Sequence, residues 1–160
     1  MTGRARITTS QMLGKLARVA AERSACLRHQ HGAVVAVDGM VVSTGYNGPP
    51  RGFPHCAACA RDRHEPGTRE RLESCHAVHA EANALLQAGP RARGGDMYVT
   101  GVPCRNCARL IVQAGVRRVY VVGGFELGEN AWDAAKVFAA VSVGFCCLDL
   151  KTGSVTYWRE

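Results

Sequence analysis

The chain has 160 residues, a length typical of one domain that can bury a core without help from disulfides. Hydrophobic residues make up 47% and charged residues 21%, which excludes a disordered chain, and no apolar run approaches the roughly 20 residues that span a membrane. The formal net charge of +7 favours an anionic partner, either nucleic acid or a phosphorylated small molecule, although an arginine-biased composition would produce the same charge.

Hydrophobic periodicity predicts helices that alternate with strands along most of the chain. Thr8, Thr9 and Ser10 offer N-caps for the first helix, and an Asp-Gly pair predicts a tight turn between the first two strands. The predicted helices cover 10–24, 78–88, 103–115 and 130–140, and the predicted strands cover 32–38, 40–46, 97–100, 117–122 and 142–150, with a further candidate at 155–158. This order favours an α/β fold in one domain over residues 1–160, with helices on both faces of a mixed sheet.

Residues 47–75 form a Pro-, Gly- and Arg-rich insertion between a predicted strand and a predicted helix. A loop of this length in a compact domain needs a function, or a metal that clips it in place. Charges of alternating sign run from Arg61 to Glu73, a pattern typical of a solvated segment.

Eight cysteines stand at positions 26, 56, 59, 75, 104, 107, 146 and 147. The first residues contain no apolar stretch like that of a secretory signal peptide, so we expect a cytoplasmic protein, with an Arg-rich transit peptide as the alternative. Because disulfides are rare in the cytosol, closely spaced cysteines there more often bind metal. Cys146 and Cys147 lie in a predicted strand, and we interpret them as core residues.

The sharpest motif is His-Ala-Glu at 79–81, followed by Pro-Cys-Arg-Asn-Cys at 103–107. The i, i+3 spacing places Cys104 and Cys107 on one face of a helix, and the helix N-terminus lowers the pKa of their thiols. With His79 as third ligand, one tetrahedral position stays open, which is typical of a catalytic zinc site. Zinc in such a site lowers the pKa of a bound water to about 7 and so makes hydroxide available.

Glu81 is placed to move protons beside this metal. Two residues along a helix correspond to about 200° of turn, so His79 and Glu81 reach one pocket only if the helix begins at or just before His79. A zinc site with such a carboxylate meets the needs of hydrolytic deamination, and H-x-E followed by P-C-x-x-C is the motif of zinc deaminases. A lone C-x-x-C pair would fit a redox site as well, but the His-Ala-Glu stretch favours zinc.

Three stretches of the chain resemble the cytidine and deoxycytidylate deaminase superfamily, and most closely its deoxycytidylate deaminases. The stretch that marks the superfamily combines the two motifs above with Tyr-Val-Thr at 98–100, and the stretch that marks the deoxycytidylate branch covers 45–56. The third covers 26–35, and together the three span about residues 10–122.

This resemblance implies a three-layer α/β/α cytidine deaminase-like fold, with a five-stranded mixed sheet and zinc under two helix N-termini. It implies His79, Cys104 and Cys107 as the zinc ligands and Glu81 as the catalytic acid and base. It also implies assembly into homo-oligomers, often hexamers, and in some relatives control by a deoxynucleoside triphosphate effector.

The same resemblance implies substrate contacts. Asn47 would hydrogen-bond the sugar, although an Asn-Gly pair is also typical of turns. The backbone N–H of Ala80 would hold the pyrimidine carbonyl, and Tyr120 would stack on the base unless it is a core residue of its strand. Arginine suits phosphate because it binds in a bidentate manner. The candidates for the substrate phosphate are Arg51, Arg28 and Arg105.

A second group of cysteines lies in and around the insertion. Deoxycytidylate deaminases often hold a second, structural zinc between the insertion and the catalytic helix, so the resemblance suggests a closed site here. The candidate ligands are Cys26, Cys56, Cys59 and Cys75, with His55, His64 and His76 as substitutes. The alternative is that these cysteines are buried apolar side chains.

The first hypothesis for function is zinc-dependent hydrolytic deamination of deoxycytidylate (dCMP) to deoxyuridylate (dUMP). One alternative is deamination of another cytosine-type nucleoside or nucleotide, or of a base within tRNA or DNA, although no aromatic-interleaved basic stretch supports nucleic-acid binding. The other is a non-catalytic zinc module that binds a nucleotide, in which Glu81 would have no role. Residues 123–125 read Gly-Gly-Phe where related enzymes carry a Tyr-rich stretch near the active site. The resemblance therefore does not predict which residues of this segment contact the base and the phosphate.

Overall fold

The computed structural model describes residues 6–68, 73–124 and 129–158. The helices are α1 Thr9–Glu22, α2 Ala80–Ala88, α3 Arg105–Gln113 and α4 Glu129–Ala139. The strands are β1 Gly32–Val37, β2 Met40–Tyr46, β3 Asp96–Val99, β4 Arg118–Val122, β5 Gly144–Leu148 and β6 Val155–Tyr157. Within these ranges no helix has both the length and the apolar character to cross a membrane.

The strands form one mixed sheet in the order β2-β1-β3-β4-β5-β6. Strand β1 pairs antiparallel with β2 and β3, the strands β3, β4 and β5 run parallel, and β6 returns antiparallel to β5. The predicted mixed α/β sheet is confirmed, but the expectation of five strands is wrong. A turn through Gly153, which has φ 77°, brings Val155–Tyr157 back onto the sheet as a sixth strand at its edge.

Helices cover both faces of this sheet. Helix α1 packs on one face, and α2, α3 and α4 pack on the other. Along β4 the side chains alternate, so that Val119 and Val121 pack beneath α2 and α3 whereas Tyr120 packs beneath α1. Cys146 is fully buried in the core under α1, as predicted, and Cys147 is half-buried.

A capping box begins α1. The Thr8 hydroxyl accepts a hydrogen bond from the backbone N–H of Gln11 at 3.1 Å, and the Gln11 side-chain oxygen accepts one from the backbone N–H of Thr8 at 2.8 Å. The predicted N-cap region is therefore correct, and the helix ends two residues earlier than the predicted 10–24.

The insertion is closed at its base. Gly48 and Val78 exchange backbone hydrogen bonds of 3.2 and 2.8 Å, which join the end of β2 to the residue before His79. Inside the insertion, Ala60–Arg63 form a 3-10 turn, and Asp62 of this turn pairs with Arg28, which lies before β1. The insertion is thus tied to two flanking parts of the chain.

Helix α2 lies unusually close to β2. The Ser43 hydroxyl donates to the carbonyl oxygen of Ala84 at 2.7 Å, and the Asn83 amide donates to the carbonyl oxygen of Tyr46 at 2.8 Å. Gly45 faces the helix with no side chain between the two backbones. These contacts fix where α2 begins, and therefore where His79 stands.

We expect Gly45→Ala to destabilise the fold, because a Cβ there would meet the carbonyl oxygen of Ala80 and the amide nitrogen of Ala84. Overpacking of this kind lowers the free energy of unfolding by about 1–3 kcal/mol, which urea denaturation measures. Gly48→Ala is the matched control, since no described atom lies within 4 Å of the added Cβ. An unfolding midpoint for Gly45→Ala equal to that of the control would contradict this expectation.

Candidate active site

His79 precedes the first residue of α2. Its backbone is extended, with φ −70° and ψ 155°, and Ala80 begins the helix. The helix begins two residues after the predicted start at 78, yet the arrangement needed for a shared pocket is kept. His79 projects from the N-cap position, and Glu81 projects from the first turn.

Cys104 occupies the same position at the start of α3. Its backbone angles are φ −69° and ψ 165°, so the helix begins at Arg105 rather than at Pro103 as predicted. Cys107 lies in the first turn and is buried, while Cys104 is half-buried. Both sulfurs thus lie at a helix N-terminus, where the helix dipole favours the thiolate form.

The side chains of His79, Cys104 and Cys107 converge, with their ligand atoms all within 4.8 Å of one another. The Sγ atoms of Cys104 and Cys107 lie 3.6 and 3.5 Å from Nδ1 of His79. Zinc bonds of about 2.3 Å to sulfur and about 2.0–2.1 Å to nitrogen, at a tetrahedral angle, separate S and N by about 3.6 Å. The three side chains therefore fit one tetrahedral zinc, with a fourth position left over.

Electrostatics of the cluster favour a bound cation. Hydrogen bonding from Cys107 lowers the pKa of the Cys104 thiol to about 3, so Cys104 is a thiolate at neutral pH. The same contact raises the pKa of the Cys107 thiol, and hydrogen bonding to Cys104 raises the pKa of His79. A metal cation bound among these groups would displace the protons that they share, and it would balance the negative charge of the cysteine sulfur atoms.

Glu81 is buried beside the cluster, with 7% of its surface exposed. Burial raises the pKa of its carboxyl group, because removal from water disfavours the charged form. The nearby positive charge that His79 carries when protonated opposes this rise in the pKa, so the carboxyl group lies close to the cluster. A carboxyl group in this position can accept a proton in one step and return it in another.

Asn47 follows β2 and is buried. Its side-chain oxygen accepts from the His31 backbone N–H at 2.8 Å, and its amide nitrogen donates to the His29 carbonyl oxygen at 2.8 Å. An Asn amide has two donor hydrogens and two acceptor lone pairs, so one of each remains for a ligand. Asn47 therefore fixes the segment before β1, and its sugar-binding role stays a prediction.

Ala80 and Tyr120 differ in their relation to the cluster. Ala80 is buried at the first position of α2, where the backbone N–H groups have no acceptor within the helix. Tyr120 stacks on Tyr98 in the core beneath α1, with ring centroids 4.7 Å apart. The prediction that Tyr120 stacks on a substrate base is corrected here, because its side chain lies on the face of the sheet opposite α2 and α3.

The four remaining candidate cysteines border one cavity. This cavity has a volume of about 40 Å³ and lies between the insertion and the segment before β1. No three of their sulfur atoms lie within 4.8 Å of one another, so the set is looser than the His79 cluster. His76 also lines the cavity, whereas His55 and His64 do not. The cysteines that line it are Cys26, Cys56, Cys59 and Cys75.

The candidate phosphate-binding arginines have different surroundings. Arg51 is exposed in the insertion, Arg28 pairs with Asp62, and Arg105 pairs with Asp133 at 3.2 Å.

Sequence reasoning missed Arg61, which it assigned to a solvated segment. The ε-nitrogen of Arg61 is buried, and the side chain lines the four-cysteine cavity. No sequence pattern marked it, because its burial depends on how the insertion folds back.

An α/β/α sheet that carries one His and two Cys at two helix N-termini, beside a buried Glu, has the architecture of a zinc deaminase. The chain belongs to the cytidine and deoxycytidylate deaminase family, since residues 7–123 match the family's cytidine and deoxycytidylate deaminase zinc-binding region. The predicted family is therefore confirmed.

Relatives in phage and yeast support this placement. The chain is 44% identical over 110 residues to the deoxycytidylate deaminase of Mycobacterium phage D29, a match that covers 65% of this chain and 86% of the relative. It is 37% identical over 125 residues to the deoxycytidylate deaminase of Saccharomyces cerevisiae, covering 76% of this chain. The matched region spans only 40% of that yeast protein and 37% of its Schizosaccharomyces pombe counterpart.

A solved structure shares the fold. The dCMP deaminase of cyanophage S-TIM5, crystallised in complex with dCMP and dUMP, superposes with a TM-score of 0.72 at 26% sequence identity. The superposition covers 91% of this chain and the whole of that one. The three-layer arrangement is therefore that of a known dCMP deaminase structure.

Proposed function

We propose that this chain is a zinc-dependent deaminase that hydrolyses dCMP to dUMP. The observation that carries the proposal is the convergence of His79, Cys104 and Cys107 beside the buried carboxyl group of Glu81. The identity to phage deoxycytidylate deaminase and the likeness to a structure that binds dCMP and dUMP support the choice of substrate.

His79, Cys104 and Cys107 would hold the zinc, as their spacing fits a tetrahedral ion. When bound, zinc supplies Lewis acidity that makes water nucleophilic at neutral pH. Deamination replaces the exocyclic amine at C4 of cytosine with oxygen from water and releases ammonia. Glu81 would carry one proton of the attacking water to the ring nitrogen, and would then carry the second, from the new hydroxyl group at C4, to the amine, which leaves as ammonia.

Substrate would be oriented by backbone and amide groups near the two helix N-termini. The N–H of Ala80 would donate to the pyrimidine carbonyl, and the remaining hydrogen-bonding capacity of Asn47 would reach the sugar. Arg51, which is exposed, is the sequence-based candidate for the phosphate.

An activity screen tests the substrate. Purified protein with quantified zinc is assayed for ammonia release from dCMP, CMP, deoxycytidine and their 5-substituted forms, and we expect dCMP to be turned over with the highest kcat/KM. If another nucleoside or nucleotide is preferred, the choice of dCMP is wrong. Salt-dependent binding to single-stranded DNA or tRNA, with no turnover of free nucleotides, would favour a polymer substrate instead.

We propose that the insertion at residues 47–75 is clipped by a second, structural zinc within a single deaminase domain over residues 1–160. Four cysteines border one cavity there, which supports the proposal, although the cavity would have to contract to bring the sulfurs to metal-bonding distance. Such a site would order the insertion without taking part in the chemistry.

Cys56→Ser tests this second zinc. We expect wild-type protein to contain two zinc ions per chain and the variant to contain one, with a lower unfolding temperature and measurable dCMP deamination. Elemental analysis gives the stoichiometry. One zinc per chain in fully loaded wild-type protein would show that the second site does not exist.

Assembly into hexamers, a deoxynucleoside triphosphate effector and a cytoplasmic location follow from family resemblance and the cysteine content alone. They stay predictions. Sedimentation of the zinc-loaded protein, with and without triphosphate, would address the first two.

A further inference from the structure

His31 directly precedes β1, and its side chain lies on the face of the sheet that carries the candidate active site. Side chains alternate along a strand. Gly32 faces α1, because a Cβ added there would meet the Ala17 carbonyl oxygen, and Ala33 packs on the opposite face beneath α2 and α3. His31 comes one residue before Gly32, so it projects to the same face as Ala33.

Two neighbouring strand ends fix the position of His31. On one side, the side-chain oxygen of Asn47 accepts from the His31 backbone N–H at 2.8 Å, and the Asn47 backbone N–H donates to the His31 carbonyl oxygen at 3.2 Å. On the other side, atoms Cε1 and Nδ1 of the His31 ring lie 2.9 Å from the point where a Cβ of Gly101 would stand. We call Asn47, His31 and Gly101 the strand-end row.

The strand-end row adjoins the segments that carry the proposed metal ligands. The residue after Asn47 is hydrogen-bonded to Val78, which precedes His79. Gly101 stands three residues before Cys104, within the segment that joins β3 to α3. Short stretches of chain therefore connect this row to the N-termini of both helices of the candidate site.

Basic side chains concentrate at this point of the chain. Residues 28–31 read Arg-His-Gln-His, with no acidic residue among them. His29 and His31 are both exposed, and their ring centroids lie 6.1 Å apart. Imidazole N–H groups donate hydrogen bonds, so these exposed rings suit a ligand with a negatively charged end.

The shape of cytosine determines which part of the substrate meets the strand-end row. C4, the carbon that loses its amine, lies across the six-membered ring from N1, which carries the sugar. With C4 at the His79 cluster, the sugar and its 5′-phosphate extend away from the metal ligands. Asn47 is the proposed contact for the sugar, and His31 is its direct neighbour on the adjacent strand end. The phosphate, the next group beyond the sugar, would come within reach of the His31 ring.

We propose that the His31 imidazole donates a hydrogen bond to the 5′-phosphate of the substrate and thereby selects a nucleotide over a nucleoside. This inference rests on the proposed deamination of dCMP, and it assigns phosphate recognition to the residue before β1 rather than to Arg51 of the insertion. Hydrogen bonds to charged groups are stronger than those between neutral groups, so one such contact separates the two kinds of substrate.

Kinetics with paired substrates test this role. His31→Ala should lower kcat/KM for dCMP by about 10- to 100-fold, mostly through KM, because a hydrogen bond to a charged group is lost. Activity with deoxycytidine, which has no phosphate, should stay that of wild type. His31→Gln should lose less, since an amide can still donate. Tyr46→Phe is the matched control and should match wild type with both substrates, because Tyr46 is exposed one residue before Asn47 and faces the other side of the sheet.

Gly101→Ala tests the same contact without removing His31. The added methyl group would displace the His31 ring, so we expect a loss of kcat/KM that is confined to dCMP, with zinc content unchanged. In the double variant, Gly101→Ala should cause no loss beyond that of His31→Ala, because the ring that it displaces is already absent. Additive losses would contradict the proposed contact.

Binding of the product separates failure of this role from failure of the proposed function. In calorimetry on zinc-loaded protein, dUMP should bind wild type about tenfold or more tightly than deoxyuridine, and His31→Ala should remove most of that difference. If dCMP is not turned over at all, this measurement still tests His31. The inference is overturned if wild type binds dUMP and deoxyuridine equally, or if His31→Ala weakens both alike, which would indicate a structural role or a contact to the sugar.

Discussion

Glu81→Gln should reduce the deamination of dCMP by about 10²- to 10⁴-fold while the protein retains its catalytic zinc. The side chain is buried at the first turn of α2, and its burial raises the pKa of the carboxyl group toward the range in which it can both accept and donate a proton. Glutamine preserves the volume and the polar character of the side chain, but it cannot carry the transferred proton. The loss should therefore appear in kcat, with KM for dCMP changed little.

A matched change at an exposed carboxylate separates this effect from a change in net charge. Glu22 lies at the exposed C-terminal end of α1, so Glu22→Gln should keep wild-type kcat. Assays of ammonia release give kcat, and elemental analysis of the same samples gives the zinc content. If Glu81→Gln retained more than a tenth of wild-type kcat with full zinc, another residue would have to move the proton.

Cys107→Ser should remove the catalytic zinc and with it essentially all deaminase activity. Cys107 is buried in the first turn of α3, 3.5 Å from His79 Nδ1, and only three protein ligands are proposed for the ion. Loss of one thiolate leaves two ligands, which is too few for a stable zinc site. The zinc content should fall by one ion per chain, and kcat/KM for dCMP should fall by more than about 10³-fold.

Cys146→Ala provides the comparison. Cys146 is fully buried beneath α1, on the face of the sheet opposite the candidate site. Its truncation should lower the free energy of unfolding by about 1 kcal/mol while zinc content and activity stay those of wild type. Undiminished zinc in Cys107→Ser, measured after dialysis against a weak chelator, would contradict the assignment of Cys107 as a ligand.

The candidate metal cluster could be predicted from its motif. The i, i+3 spacing puts Cys104 and Cys107 on one face of a helix, whereas their approach to His79, which is 25 residues before Cys104, was predicted only because H-x-E and P-C-x-x-C occur together in zinc deaminases. The start of each helix was harder to predict. Cys104 is an extended N-cap, so α3 begins two residues after the Pro103 that the sequence favours.

Other features depend on contacts between distant segments. The alternation along β4 predicts that neighbouring side chains lie on opposite faces, but only the packing of α1 shows that Tyr120 faces away from the cluster. Strand β6 is short and exposed, and its pairing with β5 distinguishes it from a loop. The buried ε-nitrogen of Arg61 results from the folding of the whole insertion, which a charged stretch of sequence does not reveal.

The bridge between Gly48 and Val78 makes the position of His79 independent of the length of the insertion. Because the ends of the insertion are hydrogen-bonded to each other, its interior can lengthen, shorten or change composition without moving His79. Each doubling of the length of a flexible loop costs only about 0.6 kcal/mol. A change within the insertion should therefore leave the position of His79, and with it the geometry of the candidate site, as it is.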